Sequence, residues 1–586
     1  MNDPLPTANT RRLLIAAVLL VTATAGYLHA GGLNDVIAWD EANYTLAASE
    51  GLIANATQLG DLSEKRHEHA PLTAYSIALS TSLFGYQEWA IRLPAVLICA
   101  ASAGLLVLIG FDLSRGQSDR TRLFVGLVAG LSFATAPTSI EMAGVIQPHS
   151  FVIFFMLLNI WTVCRYVRDQ KRRDALLFGA TLAGQFVSME YGPIILGFAV
   201  ISVALARPEC LFGNQSAIRS PRSAIGALFR LPRTIHRDIL HAAVLCFALI
   251  LILWPAGILL LGAPRNFAYY LIYATKGQPI LFRDEMHTHV PKYAYAYWYW
   301  QSYPLLLIAM IAAIALTIWW AYRKRDSVAI TMAVFTVGLV LAVHASHIMQ
   351  LCKSIFMIPP IVLGGPLAAA WVMSARAKLR PPLLLGEGWG EGRTSDAPAS
   401  NSTPENRRGS DLTPTLSQGE RGPIRLIPTI LAFTLAFCAI LGGQLTPMSR
   451  PQDKNARLID MCDTIARDAN PNDDVLAQAW PMVEYHLRLK HGRNDLRVHR
   501  YDPRNYEINR LGPRLAAGEF EWAVTIGPST AAHPDCPALA VLHEQWQVVQ
   551  DHSIDSLEYR LYHTPATHTF AAPDRQRVVK EVIRQD

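Results

Sequence analysis

Charge is scarce in this chain. Asp, Glu, Lys and Arg make up 17% of its 586 residues, against roughly 25% in ordinary soluble domains. The shortage is concentrated in long apolar runs, and 51% of all residues are hydrophobic. That combination excludes one oversized soluble core and points to a bilayer. Cysteine is also sparse: eight residues with no Cys-x-x-Cys spacing, which indicates neither a zinc ribbon nor a redox motif. The net charge of +6 does not indicate nucleic acid. The basic residues fall in clusters between apolar runs, where topology accounts for them.

What is there is a series of segments of membrane-crossing length, about 20 apolar residues each. Spans are predicted near 13–30, 92–112, 122–138, 150–166, 174–189, 191–206, 241–263, 303–322, 327–345, 354–374 and 424–445, about eleven in all. Arg11 and Arg12 precede the run from Leu13 to Tyr27, as in a signal peptide. More membrane segments follow, so an uncleaved first span is expected. With the N-terminus cytoplasmic, alternate loops should be basic, and they are: Arg115, Arg120 and Arg122; Arg165, Arg168 and Lys171–Arg173; Arg207 to Arg237; Arg323–Arg325; Arg376, Lys378 and Arg380.

This parity puts three sizeable segments outside: 31–91, 264–302 and the tail from about 446 to 586. The tail reads as a small α/β domain. Its helix is expected at Asn455–Ala469, with Leu458, Ile459, Cys462, Ile465 and Ala466 on one face. Strands are expected at Val475–Ala477, Leu496–His499, Trp522–Ile526 and Leu557–Tyr562. Cys462 and Cys536 both fall there, either as a disulfide or as two buried thiols.

Residues 381–422 are rich in Pro, Gly, Ser, Glu and Arg with no apolar period, a disordered cytoplasmic linker by composition. A DNA stretch encoding Gly386-Glu387-Gly388-Trp389-Gly390-Glu391-Gly392 has a reverse complement that can read Leu-Thr-Pro-Thr-Leu-Ser, the string Leu412 to Ser417. The segment resembles a translated inverted repeat of the kind dispersed in bacterial genomes, which makes a bacterial source the expectation. Loop insertions cost little because closure entropy grows slowly with length. Deleting 383–420 is expected to leave activity intact, and complementarity of the two coding stretches tests the origin. The expected organisation is a transmembrane domain over 1–380, the insert at 381–422, a last span at 423–445 and the outer α/β domain at 446–586.

The first outer loop holds Trp39-Asp40-Glu41-Ala42-Asn43-Tyr44, then Glu68-His69-Ala70-Pro71-Leu72, Leu83-Phe84-Gly85, Glu88 and Arg92-Leu93-Pro94. Trp254-Pro255 and the aromatic stretch Tyr293–Trp300 follow later. This order resembles the GT-C membrane glycosyltransferases, in particular bacterial relatives of the protein O-mannosyltransferases and lipid A aminoarabinose transferases. The likeness covers about the first 200 residues and departs in places. His69 stands where those proteins have lysine, Ala70 where they have proline, and Gln147-Pro148-His149 where a further charged residue is common, with Glu141 as a weak substitute.

The resemblance implies a GT-C-like helical fold and transfer of a sugar from a polyprenyl-phosphate donor to a hydroxyl of a lipid, glycan or protein. It implies the periplasmic face of a bacterial inner membrane and no obligatory cofactor. Such a reaction needs a base for the attacking hydroxyl and cations for the departing phosphate. Asp40 is the expected base. A free aspartate titrates near 3.9, and desolvation at the membrane boundary would raise that value. Read without the resemblance, Asp40-Glu41 is an N-cap and first-turn acid. Glu41 and Glu68 are further catalytic candidates. His69, Arg92, Lys276, Arg283, Lys292 and Lys353 are candidate substrate-binding residues, Arg92 doubling as a headgroup anchor. The pairs His67/His69 and His287/His289, with Glu68, leave a divalent metal open. The aromatic stretch suits an interfacial belt or sugar stacking. Competing classes are a flippase of lipid-linked sugars and an envelope scaffold. A flippase calls for charges inside spans and internal repeats, of which the sequence offers little.

Overall fold

The computed structural model describes residues 7–34, 37, 39–57, 70–189, 192–207, 237–256, 280–282, 285–287, 294–345, 355–379, 452–478, 480–500, 514–515, 517–528, 542, 545–554 and 557–564. Its helices are α1 (Ala8–His29), α2 (Trp39–Ser49), α3 (Leu52–Thr57), α4 (Leu72–Phe84), α5 (Glu88–Leu113), α6 (Asp119–Ala134), α7 (Pro137–Ala143), α8 (His149–Asp169), α9 (Arg172–Ser188), α10 (Gly192–Ala206) and α11 (Arg237–Leu253). After a short hairpin, β1 (Ile280–Phe282) and β2 (Glu285–His287), come α12 (Ala294–Ser302), α13 (Pro304–Lys324), α14 (Ser327–Ala345) and α15 (Ile358–Leu379). Ten of the eleven expected spans coincide with helices; 424–445 and the insert lie outside the described residues. Six of these helices are long and apolar enough to cross alone, or seven if the bent pair α6–α7 is one span. The chain is thus a polytopic α-helical membrane protein. Leu19, Leu20, Ile308 and Ile311 are exposed, which is the surface a bilayer covers.

Two spans are interrupted beside a proline. The one at 122–138 breaks at Thr135–Ala136 with a bend of 60°, because Pro137 lacks the N–H that would continue α6 and instead opens α7. In the one at 241–263 the first helix stops at Leu253, just before Trp254-Pro255, and residues 257–263 lie outside the described residues. The loop at 31–91 is itself structured, with α2, α3 and α4 inside it. Helix α4 has 13 residues, too few to cross.

Polar contacts sort the helix ends onto two sides. Thr10 Oγ1 donates to Asp119, Arg115 bonds both Asp112 and Asp169, Arg168 bonds Asp112, and Arg207 donates to the Val167 carbonyl. The start of α1, the end of α5, the start of α6 and the ends of α8 and α10 therefore share one side, the side of the basic clusters. On the other side Tyr75 of α4 donates to the carbonyl of Leu253. Packing inside the bundle depends on small residues. A Cβ on Gly126 would lie 2.4 Å from the Val107 carbonyl oxygen, so α5 and α6 touch backbone to backbone there.

The tail begins with α16 (Gln452–Asp468) and a short helix α17 (Trp480–Glu484) that runs into a π-helical turn, Tyr485–Lys490. Strands β3 (Asp474–Ala477), β4 (Arg497–Arg500), β5 (Trp522–Pro528), β6 (Gln547–Ile554) and β7 (Leu557–His563) form one sheet in the order β4-β3-β5-β7-β6. The first three are mutually parallel and the last two antiparallel. The α/β expectation holds, with β6 and the π turn added to it. Cys462 is a buried free thiol; Cys536 lies outside the described residues.

Candidate active site

Helix α2 runs through the acidic pair, and the pair's second member is held tightly. Glu41 Oε1 accepts from Arg92 Nε at 2.8 Å and from the Ile146 N–H at 2.8 Å, while its Oε2 accepts from Arg92 Nη2 at 2.7 Å. Nη1 of the same guanidinium donates to the Leu33 carbonyl at 3.2 Å. Glu41 and Arg92 are each 1% exposed. One buried ion pair therefore ties together the end of the first membrane helix, α2, α5 and the loop before α8. Planar bidentate geometry of this kind is what arginine offers and lysine does not.

The Arg-Leu-Pro element explains how α5 supports this pair. Pro94 sits inside the helix and cannot donate to the carbonyl four residues back, at Ala90. Ser80 of α4 donates to that carbonyl instead, at 2.5 Å. Helix α4 is thereby stitched to the turn of α5 that carries Arg92. Thr45 Oγ1 donates to the Glu41 carbonyl at 2.7 Å, which satisfies α2 internally.

The candidate residues separate clearly. Arg92, a candidate for the donor phosphate, has its Nε and Nη2 committed to Glu41, and its burial replaces the headgroup-anchor reading. Glu41, a further catalytic candidate, has both oxygens engaged by donors. Asp40 lies in the first turn of α2, with its side chain outside the described residues. Glu68, His69, Lys276, Arg283, Lys292 and Lys353 lie outside the described residues altogether, as do His67 and His289; of His287 only the backbone, in β2, is described. No group of three metal-ligating side chains comes together among the described residues. In the aromatic stretch, Tyr295 and Tyr299 are core residues. They are spaced i, i+4 on α12 and face inward, so only part of the stretch can form a belt.

Several neighbours were not legible beforehand. Buried polar atoms of Thr73, Thr138 and Ser139 have no hydrogen-bond partner among the described residues. Thr73 lies on α4, and Thr138 and Ser139 lie on α7. From the tail, Lys490 Nζ lies 2.5 Å from Glu88 Oε1. Beside it His486 is buried, and its imidazole is lowered from 6.5 to about 4, by burial first and then by Lys490. A histidine held neutral in the fold gains its proton only in the unfolded chain between these values. Stability should be greatest above about pH 6.5 and fall as pH drops toward about 4, by at most about 3 kcal/mol. Thermal midpoints in detergent across this range check it, and His486→Gln should flatten the dependence.

Residues 68–217 match the family model described as dolichyl-phosphate-mannose-protein mannosyltransferase. No curated protein sequence matches the chain. Among solved structures, ArnT from Cupriavidus metallidurans bound to undecaprenyl phosphate is similar at a TM-score of 0.52 and 12% identity, covering 97% of this chain and 100% of that one. The Archaeoglobus fulgidus oligosaccharyltransferase in the apo form has a TM-score of 0.51 at 13% identity, over 87% of this chain and 69% of that one. The arabinofuranosyltransferase AftD from Mycobacteria has a TM-score of 0.50 at 14% identity, over 97% of this chain and 41% of that one. The chain has the fold of the GT-C membrane glycosyltransferases, and its residues 68–217 are similar to the dolichyl-phosphate-mannose-protein mannosyltransferase family.

Proposed function

We propose that this protein transfers a hexosyl or pentosyl unit from a polyprenyl-phosphate donor to a hydroxyl of a lipid, glycan or protein. The single observation that carries the reading is the family match over 68–217, set in a fold shared over 97% of the chain with a protein crystallised with undecaprenyl phosphate. The site lies on the periplasmic face of the inner membrane, opposite the basic loops. A lipid-linked donor suits a site at the outer ends of spans, because the prenyl chain stays in the bilayer while the phosphate reaches the headgroup level.

In this reading the acceptor hydroxyl gives its proton to Asp40 as its oxygen attacks the anomeric carbon. The bond from that carbon to the phosphate oxygen breaks, and the departing phosphate takes the electron pair. Lys276, Arg283, Lys292 and Lys353 are the cations proposed to stabilise it, with Glu68 and His69 orienting the acceptor. Glu41 and Arg92 do no chemistry; they hold the helix that carries Asp40. The test is transfer by the purified full-length protein from a panel of polyprenyl-phosphate hexoses and pentoses. Product formation from at least one donor is expected, and no transfer from any donor overturns the reading.

A further inference from the structure

The first turn of α5 makes contact in two directions. Glu88 and Arg92 are four residues apart and share one helical face. Arg92 grips Glu41 of α2. Glu88 receives Lys490 from the tail, with side chains 30% and 22% exposed. Lys490 Nζ also stands 6.0 Å from the centroid of the Tyr485 ring. Tyr485 is fully buried, stacked edge-on with His486 at 5.0 Å, and its hydroxyl has no hydrogen-bond partner among the described residues. Burial and the charges of Glu88 and Glu41 push its phenol up while Arg92 pulls it down, so the ring sits within electrostatic range of both ion pairs.

Apolar packing follows the same route. Ala42 and Leu46 of α2 and Ile91 of α5 share one buried cluster with Leu458 and Met461 of α16 and with Leu487. The tail domain therefore has no closed core of its own on this side; α2 is part of its wall. The contacting segment is a π-helical turn, whose hydrogen bonds span one residue more than those of an α-helix, a conformation that recurs at functional sites. A tail attached only by a tether would present a polar, solvated face here.

From this we infer that the C-terminal domain is a working part of the transferase site. Lys490, packed beside Tyr485, is a positioning residue. It holds the first turn of α5 and, through the Arg92–Glu41 pair, fixes α2 and the Asp40 it carries. The consequence for rate rests on the proposed glycosyltransferase function; the mechanical link does not.

The experiment compares wild type with Glu88→Lys, Lys490→Glu and the double reversal, in the full-length protein in detergent. Lys490→Met serves as a milder variant that introduces no repulsion. Two quantities are read: hydrogen exchange of the amides of 39–49, and kcat and KM for a polyprenyl-phosphate sugar. Each single reversal should raise exchange in 39–49 and lower kcat, both by about tenfold, with KM for the donor little changed. Lys490→Met should move both the same way by less. The double reversal, which restores an ion pair of opposite sense, should bring both back toward wild type. Exchange unchanged by the single reversals overturns the inference, as does failure of the double reversal to recover it. A rise in exchange with kcat unaltered in an active enzyme removes the positioning role. If wild type transfers from no donor, the proposed function fails, while exchange alone still decides the mechanical link.

Discussion

Replacing Asp40 by asparagine is expected to lower sugar transfer by roughly 10²–10⁴-fold, the usual contribution of a positioned general base, with the thermal midpoint unchanged. Asparagine keeps the size and the helix-start character of aspartate but cannot take a proton from an attacking hydroxyl. The neighbouring carboxylate cannot stand in for it. Glu41 already accepts three hydrogen bonds, two from Arg92 and one from the Ile146 N–H, and is 1% exposed. A buried carboxylate with both oxygens occupied by donors is shielded from an acceptor. The measurement is initial rate with a polyprenyl-phosphate donor for purified wild type and Asp40→Asn, alongside melting curves for both. Equal transfer by the two removes Asp40 as the base. A lowered midpoint would instead assign it a structural cap.

Topology was the most legible layer of this chain. A bilayer imposes a length on every span, and a basic side on alternate loops, so composition alone carries both. Boundaries were less legible where proline acts. The break before Pro137 is an outcome of local sterics that a hydropathy window averages away. In the tail, β3, β5 and β7 were visible from their apolar runs. Strand β6, Gln547–Ile554, was not, because it pairs on one side only with β7 and carries Gln547, Gln550, Asp551, His552 and Ser553. The site divided in the same way. Asp40-Glu41 and Arg92 could be picked out as chemistry-bearing residues, but their roles depend on which of them is buried. Nothing in the spacing from 41 to 92 says that two loop-edge charges will meet out of water. Contact between Lys490 and Glu88 is less legible still, since it joins two domains far apart in sequence and depends on how the tail docks.

Breaking the buried Glu41–Arg92 pair should be strongly destabilising. Arg92→Met leaves Glu41 buried without its cation, and removal of one partner of a buried pair typically costs about 3–5 kcal/mol. Glu41→Leu strands the guanidinium and also orphans the Ile146 N–H, an unpaired buried donor worth a further 1–3 kcal/mol by order of magnitude, roughly. Arg92→Lys is not a mild change here. An ammonium keeps the charge but cannot span both carboxylate oxygens and the Leu33 carbonyl at once. The double variant Glu41→Leu with Arg92→Met removes both charges, so it should be more stable than either single variant. The non-additivity of the cycle, on the order of 1–3 kcal/mol, is the coupling of the pair. Thermal and denaturant midpoints of the detergent-solubilised protein read it. Transfer should fall with both single changes because α2 loses its anchor. It should stay low in the double, because neutral side chains restore packing but not the bidentate geometry that fixes the helix. Single variants as stable as wild type would mean the pair is peripheral. A double variant with full activity would mean that α2 is positioned by packing alone.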